Sequence, residues 1–284
     1  MMEVRADYHI HTALCRHATG DMEAYVLEAE AKGLKEIGFS DHAPAEEGFD
    51  PNHRMVLSQL PEYVKRVSEL RKAFPAIAVK LGLEVDIHPG FESLLETMLR
   101  EFPVDYVIGS VHFIDGTLVH MEHQESSIEG RNRLVRRYYE ILEQGIRSGL
   151  IDIVGHLDLV KWAFPGMKEH IRLGGNDILR AIQEEDLILE VNTSGWRKPP
   201  REVYPSPDLI RAACSMDIPV CFGSDAHSPE EVGADFDRGT ALLEDAGYCR
   251  EVLGNHRLRI FLPEEEKVGS MEEKPNLASS KRDW

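Results

Sequence analysis

The sequence predicts an α/β fold, a seven-stranded (β/α)7 barrel of the TIM-barrel kind, and three observations point there. Apolar strand-like runs alternate with amphipathic helical patterns seven times, the mark of a parallel sheet with crossover helices. The runs are short and nearly continuous in apolar residues, as strands buried on both faces are. Almost every run also ends in a histidine, a carboxylate or an asparagine. In a closed barrel such ends converge on one face; in an open doubly wound sheet only those at the switch point meet a ligand.

The first run, residues 4–11, carries Val4, Ala6, Tyr8 and Ile10 and ends in His9-Ile10-His11. On a strand that spacing puts both imidazoles on one face. Asp21 is placed to cap a helix whose Met22, Tyr25, Val26 and Ala29 share a face and which Gly33 stops. A second strand, 36–40, delivers Asp41-His42, and residues 43–56, with two prolines and Gly48, read as an exposed loop over the site. A helix follows from Ser58 to Phe74, then a third strand, 77–85, with Glu84 near its end. Pro89 suits the first turn of the next helix, whose apolar face is Leu94, Leu95, Met98 and Leu99.

Strand four, 104–110, precedes His112; residues 115–129 read as a polar excursion or lid before a helix over 134–148. Strand five, 151–155, runs into His156, and a helix near 177–185 leads to strand six, 187–191, which ends in Asn192. Pro207 opens a helix to Met216, and strand seven, 219–223, ends in Ser224-Asp225-Ala226-His227. A helix over 237–246 and a short apolar piece at 258–262 close the domain, residues 1–263. Residues 264–284 are charged, Ser-rich and aperiodic, and read as a disordered tail.

The formal net charge of −18 over 284 residues argues against a nucleic-acid or anionic-membrane surface. Cys15, Cys214, Cys221 and Cys249 have no CxxC spacing and read as reduced thiols. No N-terminal pattern resembles a secretory signal and no apolar run approaches a membrane span, so the expected location is the cytoplasm.

His9, His11, His17, His42, Glu84, His112, His156, Asp225 and His227 all lie at or just beyond strand ends, and they include seven of the 13 histidines. Histidines scattered at random would not keep step with the strand count. Nine such donors exceed the needs of one ion, so two or three divalent ions are expected, with a carboxylate such as Glu84 or Asp225 able to bridge. A set rich in nitrogen with some oxygen suits Zn, Mn or Fe rather than Mg or Ca.

The ordered motifs His-x-His, Ser-Asp-His, Gly-Leu-Glu-Val-Asp, Gly-Ser-Val-His-Phe, Gly-His-Leu-Asp and Ser-Asp-Ala-His resemble those of the PHP (polymerase and histidinol phosphatase) metallohydrolases. His112-Phe113, Gly155-His156-Leu157-Asp158 and the run Asn192-Thr193-Ser194-Gly195-Trp196-Arg197-Lys198 are similar to its histidinol-phosphatase branch. The resemblance covers residues 1 to about 262. It implies a distorted barrel with a trinuclear centre. His9, His11, Glu84 and Asp225 would hold the first ion, Glu84 would bridge to a second completed by His112 and His156, and His17, His42 and His227 would hold the third. It further implies hydrolysis of a phosphate monoester, L-histidinol phosphate, with Glu84, Asp225 and His227 central to the chemistry. The alternatives are another phosphoester, such as a nucleotide or cyclic phosphate, and a regulatory, non-catalytic domain of the same family.

Arg197 and Lys161 each follow a strand end by five residues and are the cations expected to hold phosphate, with Asn192 and Phe113 as further substrate contacts. Lys161 departs from the family pattern, which has arginine there; lysine keeps the charge and loses the bidentate fork. His53, His88, His120 and His123 read as loop residues outside the ligand set, and Arg54 as either a substrate contact or a solvated loop cation. Trp196 and Phe113 either line the pocket or pack beneath it. Cys15 is the thiol nearest the centre, and the nine donors are expected to suffice without it.

Overall fold

The computed structural model describes residues 3–121, 127–254 and 258–263; the expected tail, 264–284, and His123 lie outside these. The strands are β1 (Ala6–Ile10), β2 (Glu36–Phe39), β3 (Ala78–Asp86), β4 (Tyr106–Ser110), β5 (Phe113–Ile114), β6 (Thr117–Leu118), β7 (Ile153–Val154), β8 (Ile188–Asn192), β9 (Val220–Gly223), β10 (Tyr248–Leu253) and β11 (Arg259–Pro263). The helices are α1 (Met22–Ala31), α2 (Leu60–Ala73), α3 (Phe91–Glu101), α4 (Ile128–Arg147), α5 (Lys168–Glu184), α6 (Pro207–Ser215) and α7 (Phe236–Ala246).

The expected seven-stranded barrel is present as a strongly curled sheet in the order β1-β2-β3-β4-β7-β8-β9, parallel throughout and then extended by β11 and β10, which pair antiparallel. The chain just past β9 returns to β1: His11 N donates to the Ala226 carbonyl at 3.0 Å and Ala226 N to the His9 carbonyl at 3.1 Å. Asp7 reinforces this seam, accepting from the backbone amides of Ser224 and Gly233 at 2.9 Å each. A Cβ on Gly223 would collide with the Glu190 carboxylate and the Cβ of His9, so only glycine allows the approach.

Strand alternation separates two cores. Ile37, Phe39, Leu81, Leu83, Val107, Leu189, Val191 and Phe222 pack with the helices in one cluster. Tyr8, Tyr106, Ile108, Ile153, Ile188 and Cys221 form a second, together with Leu258 and Ile260 from the antiparallel extension. On β3 the residues alternating with Leu83 and Val85 are Gly82, Glu84 and Asp86; on β8 the series is Ile188, Glu190 and Asn192. The second core is thus apolar where the strands enter and polar where they leave. A register shift between Asp7 and Ile10 lets Tyr8 join the second core while Ile10 packs in the first.

Several boundaries differ from the sequence expectation. α4 begins six residues earlier than position 134, because Ser127 caps it by accepting from Gly130 N at 3.0 Å. Asp21 stands at the N-cap of α1 without a side-chain capping bond, and α3 is entered through Gly90 at φ 94° rather than Pro89. The excursion after His112 opens with the β5–β6 hairpin, and the apolar piece at 258–262 is a paired strand, β11. Loop 43–56 is only partly exposed: Arg54 and Met55 are buried. No described helix is long and apolar enough to cross a membrane.

Candidate metal centre

Glu84 is the hub of the strand-end donors. Its Oε1 lies 3.1 Å from His156 Nε2, 3.3 Å from His9 Nε2 and 3.6 Å from His112 Nε2. Its Oε2 lies 3.0 Å from His42 Nδ1 and 3.5 Å from His11 Nε2. Asp225 Oδ1 is 3.4 Å from His11 Nε2 and 3.5 Å from His227 Nδ1, and His227 Nε2 meets His17 Nε2 at 2.9 Å. All nine expected ligands therefore come together, although they are spread over most of the chain.

A second layer fixes the imidazoles. His112 Nδ1 is 2.9 Å from Asp86 Oδ1, His9 Nδ1 is 2.5 Å from Glu190 Oε1, and His11 Nδ1 is 3.4 Å from Asp41 Oδ1. His17 Nδ1 and His227 Nδ1 face backbone carbonyls of Cys15 and Asp225 at 2.8 and 2.9 Å. Engaging Nδ1 in this way leaves Nε2 for a metal and sets the ring plane. Sequence reasoning missed the support given by Asp41, Asp86 and Glu190. The signal was available, since Glu84 and Asp86, like Glu190 and Asn192, are charged or polar pairs two apart inside otherwise apolar strands.

The electrostatics fit a cation. Burial alone would raise the Glu84 carboxyl, but His9, His42 and His112 outweigh it and hold it well below the usual carboxylate range. Asp225 is lowered in the same way against its burial, chiefly by Lys198 and His11. Burial and then His11 push His227 down to about 2, while His9, despite burial, is raised to about 10 by Glu190 and Glu84. The cluster thus holds both carboxylates low while it shifts its imidazoles in opposite directions. His9 Nε2 and His42 Nδ1, buried beside Glu84, find no hydrogen-bond partner among the described residues. Triads His9–His11–Glu84, His42–Glu84–His112 and His11–His42–His227 each offer donor atoms within 4.8 Å of one another. Mixed nitrogen and carboxylate donors of this kind fit transition-metal ions.

The cluster floors a cavity of about 510 Å³, walled by Asp50, His53, Leu118, His120, Trp162, Ser194, Arg197, Lys198 and Glu231. The size suits a small molecule. Arg197 reaches the wall with its guanidinium bonded to the Ser224 carbonyl at 2.7 Å and to Asp235 at 3.2 Å. Lys198, not singled out from the sequence, places Nζ 2.6 Å from Asp225 Oδ2. His53 and His120 border the cavity from loops, His53 bonded to Asp50 at 2.6 Å and His120 against Trp162.

The other expected substrate contacts sit outside the cavity lining. Lys161 is buried, its Nζ 3.1 Å from both Asp158 and Glu202, 2.5 Å from the Val203 carbonyl and over the Tyr204 ring. Asn192 bonds Glu190 and Ser194, and the Phe113 ring packs 5.0 Å from Phe49. Trp196 is buried beneath Arg238, and His88 stacks on Phe49. Arg54 is neither solvated nor in the cavity wall: it is buried between Asp50 and Asp86.

A curled parallel barrel that gathers seven imidazoles and two carboxylates at the floor of one cavity, six of the imidazoles lining it, defines a barrel of the metal-dependent hydrolase class. The chain belongs to the PHP family: residues 7–194 match the PHP domain and residues 209–234 the PHP-associated region. It is 42% identical over 257 residues to a probable histidinol-phosphatase of Deinococcus radiodurans, covering 88% of this chain and 96% of that one. It is 32% identical to a histidinol-phosphatase of Bacillus subtilis over 81% of this chain and 96% of that one. Its fold is similar to the crystal structure of histidinol phosphate phosphatase from Lactococcus lactis, complexed with zinc, L-histidinol and phosphate. The TM-score is 0.74 at 26% identity, covering 86% of this chain and 94% of that one.

Proposed function

We propose that this chain hydrolyses a phosphate monoester, L-histidinol phosphate, using two or three divalent ions of Zn, Mn or Fe held by the nine donors. The observation that carries this reading is the donor cluster lying beneath a cavity that also presents two cations, Arg197 and Lys198. The histidinol-phosphatase relatives, one of them solved with L-histidinol and phosphate, support the choice of substrate.

Divalent ions held by the nine donors would supply Lewis acidity towards water and the phosphoryl group. The protein's share is placement. Glu84, between five imidazoles, is the carboxylate positioned to serve more than one ion. Asp225 is fixed by Ser194 at 2.9 Å and by Lys198, so its free oxygen stays turned to His11. Arg197, its two terminal nitrogens anchored on Ser224 and Asp235, brings a fixed positive charge to the cavity wall, where it would face a phosphoryl group. Asn192 and Lys161 act from behind the wall, by holding Glu190 and the segment around Val203, and Phe113 by packing the hairpin against Phe49. Asp50 and Glu231 give the wall the negative charge that suits the amine and imidazole of histidinol.

Phosphate release from a panel containing L-histidinol phosphate, nucleotides and cyclic phosphates tests the reading. Preferred turnover of L-histidinol phosphate is expected. Preference for another ester would reassign the substrate, and no release from any ester by metal-loaded protein would leave a binding domain.

A further inference from the structure

Cys15 is buried, yet it belongs to neither apolar core, unlike the other buried thiol, Cys221, which packs with Tyr8 and Ile188. Its surroundings are polar. A single 3-10 turn, Ala13–Cys15, is started by Thr12, whose side chain accepts from Leu14 N, and ended by Arg16 at φ 69°. That left-handed residue turns the chain, so that Cys15 and His17 both face the centre.

The Cys15 sulfur and one ring nitrogen each from His17 and His227 lie within 4.8 Å of one another. His17 and His227 already direct their Nε2 atoms at each other, with both Nδ1 atoms taken by carbonyls. Ligands at about 2.0–2.3 Å from a tetrahedral ion stand roughly 3.5 Å apart, so the spacing of these three donors is close to what one ion requires. Ala18 N donates to Cys15 Sγ at 3.3 Å, which fixes the position of the sulfur.

From this geometry we infer that Cys15 supplies a thiolate ligand to an ion held by His17 and His227, an inference that rests on the metal-centre reading above. Coordination replaces the thiol proton, which passes to solvent. The soft donor biases this position towards zinc or iron and away from manganese.

The test is the full chain loaded with cobalt(II). Near-ultraviolet thiolate-to-cobalt charge transfer is expected in the wild type, lost in Cys15→Ser and kept in Cys214→Ser, Cys221→Ser and Cys249→Ser. Zinc held against a chelator should weaken at least ~10-fold at one position in Cys15→Ser, the lower end of what even an outer-shell loss costs. Zinc-edge X-ray absorption on wild-type protein needs no variant and should read a sulfur scatterer at about 2.3 Å. Visible cobalt bands without the near-ultraviolet band, a band surviving Cys15→Ser, or a zinc shell of nitrogen and oxygen alone would overturn the inference while leaving the metal centre intact. Failure to take up cobalt or zinc at all would overturn both.

Discussion

His112 is held by Asp86 through two contacts to one oxygen: Nδ1 lies 2.9 Å and the His112 backbone nitrogen 3.2 Å from Asp86 Oδ1. The other carboxylate oxygen takes the buried guanidinium of Arg54, which also bonds the Ala43 carbonyl and Asp50. Burial would raise the Asp86 carboxyl, but His112 and Arg54 together hold it below the usual range. A loop arginine thus orients a strand-end imidazole without touching the cavity.

Arg54→Met should therefore do two things. Leaving Asp86 buried without its partner should cost about 3–5 kcal/mol of stability. Releasing His112 should weaken metal binding roughly 10–100-fold. Urea unfolding and chelator competition measure the two effects, and wild-type values in both would make Arg54 a bystander.

Glu84→Gln should lose more metal than His17→Asn, because Glu84 faces five imidazoles while His17 stands at the edge of the cluster. Elemental analysis of protein purified without chelator should find more than one transition-metal equivalent in the wild type and fewer in Glu84→Gln. Full metal content in that variant would refute the hub role.

Arg197→Ala should lower kcat/KM by at least ~10²-fold, the order expected for losing a charge-stabilising group. Metal content and Tm should hardly change, since no donor is removed. Steady-state kinetics beside metal analysis decide this; loss of metal along with activity would mean that Arg197 serves the Ser224–Asp225 turn instead.

Lys161→Met should cost stability more than turnover. Its ammonium is the buried counter-charge of Asp158, so removing it should destabilise by about 3–5 kcal/mol. Wild-type Tm with a large fall in kcat/KM would return Lys161 to phosphate binding.

Stripping the metals with a chelator should lower Tm, and restoring zinc should reverse the change. Each ion present at 100 times its dissociation constant contributes about 2.7 kcal/mol. An unchanged Tm after verified removal would show that the cluster is stable on protons alone.

The nine donors could be picked out of the sequence because chemistry and period coincide. Histidines at or just past five of the seven strand ends, in strands otherwise mostly apolar, are costly to keep by chance, and His9 and His11 two apart imply one face. The barrel followed from the same alternation. Lys161, Arg54 and Cys15 were not legible in this way. Each lies on a connection, where sequence position sets reach but not direction, and only packing decides which way a side chain turns. Lys161 turns to Asp158 because a buried carboxylate draws it, and Arg54 turns inward because Asp86 and Asp50 stand on either side of it. The sequence by itself determined which residues could bind a cation and on which end of the barrel. The tertiary structure decided how many imidazoles surround Glu84, which charges are spent on one another, and how the Cys15 thiol is folded against His17 and His227, because those depend on distances across strands far apart in the chain.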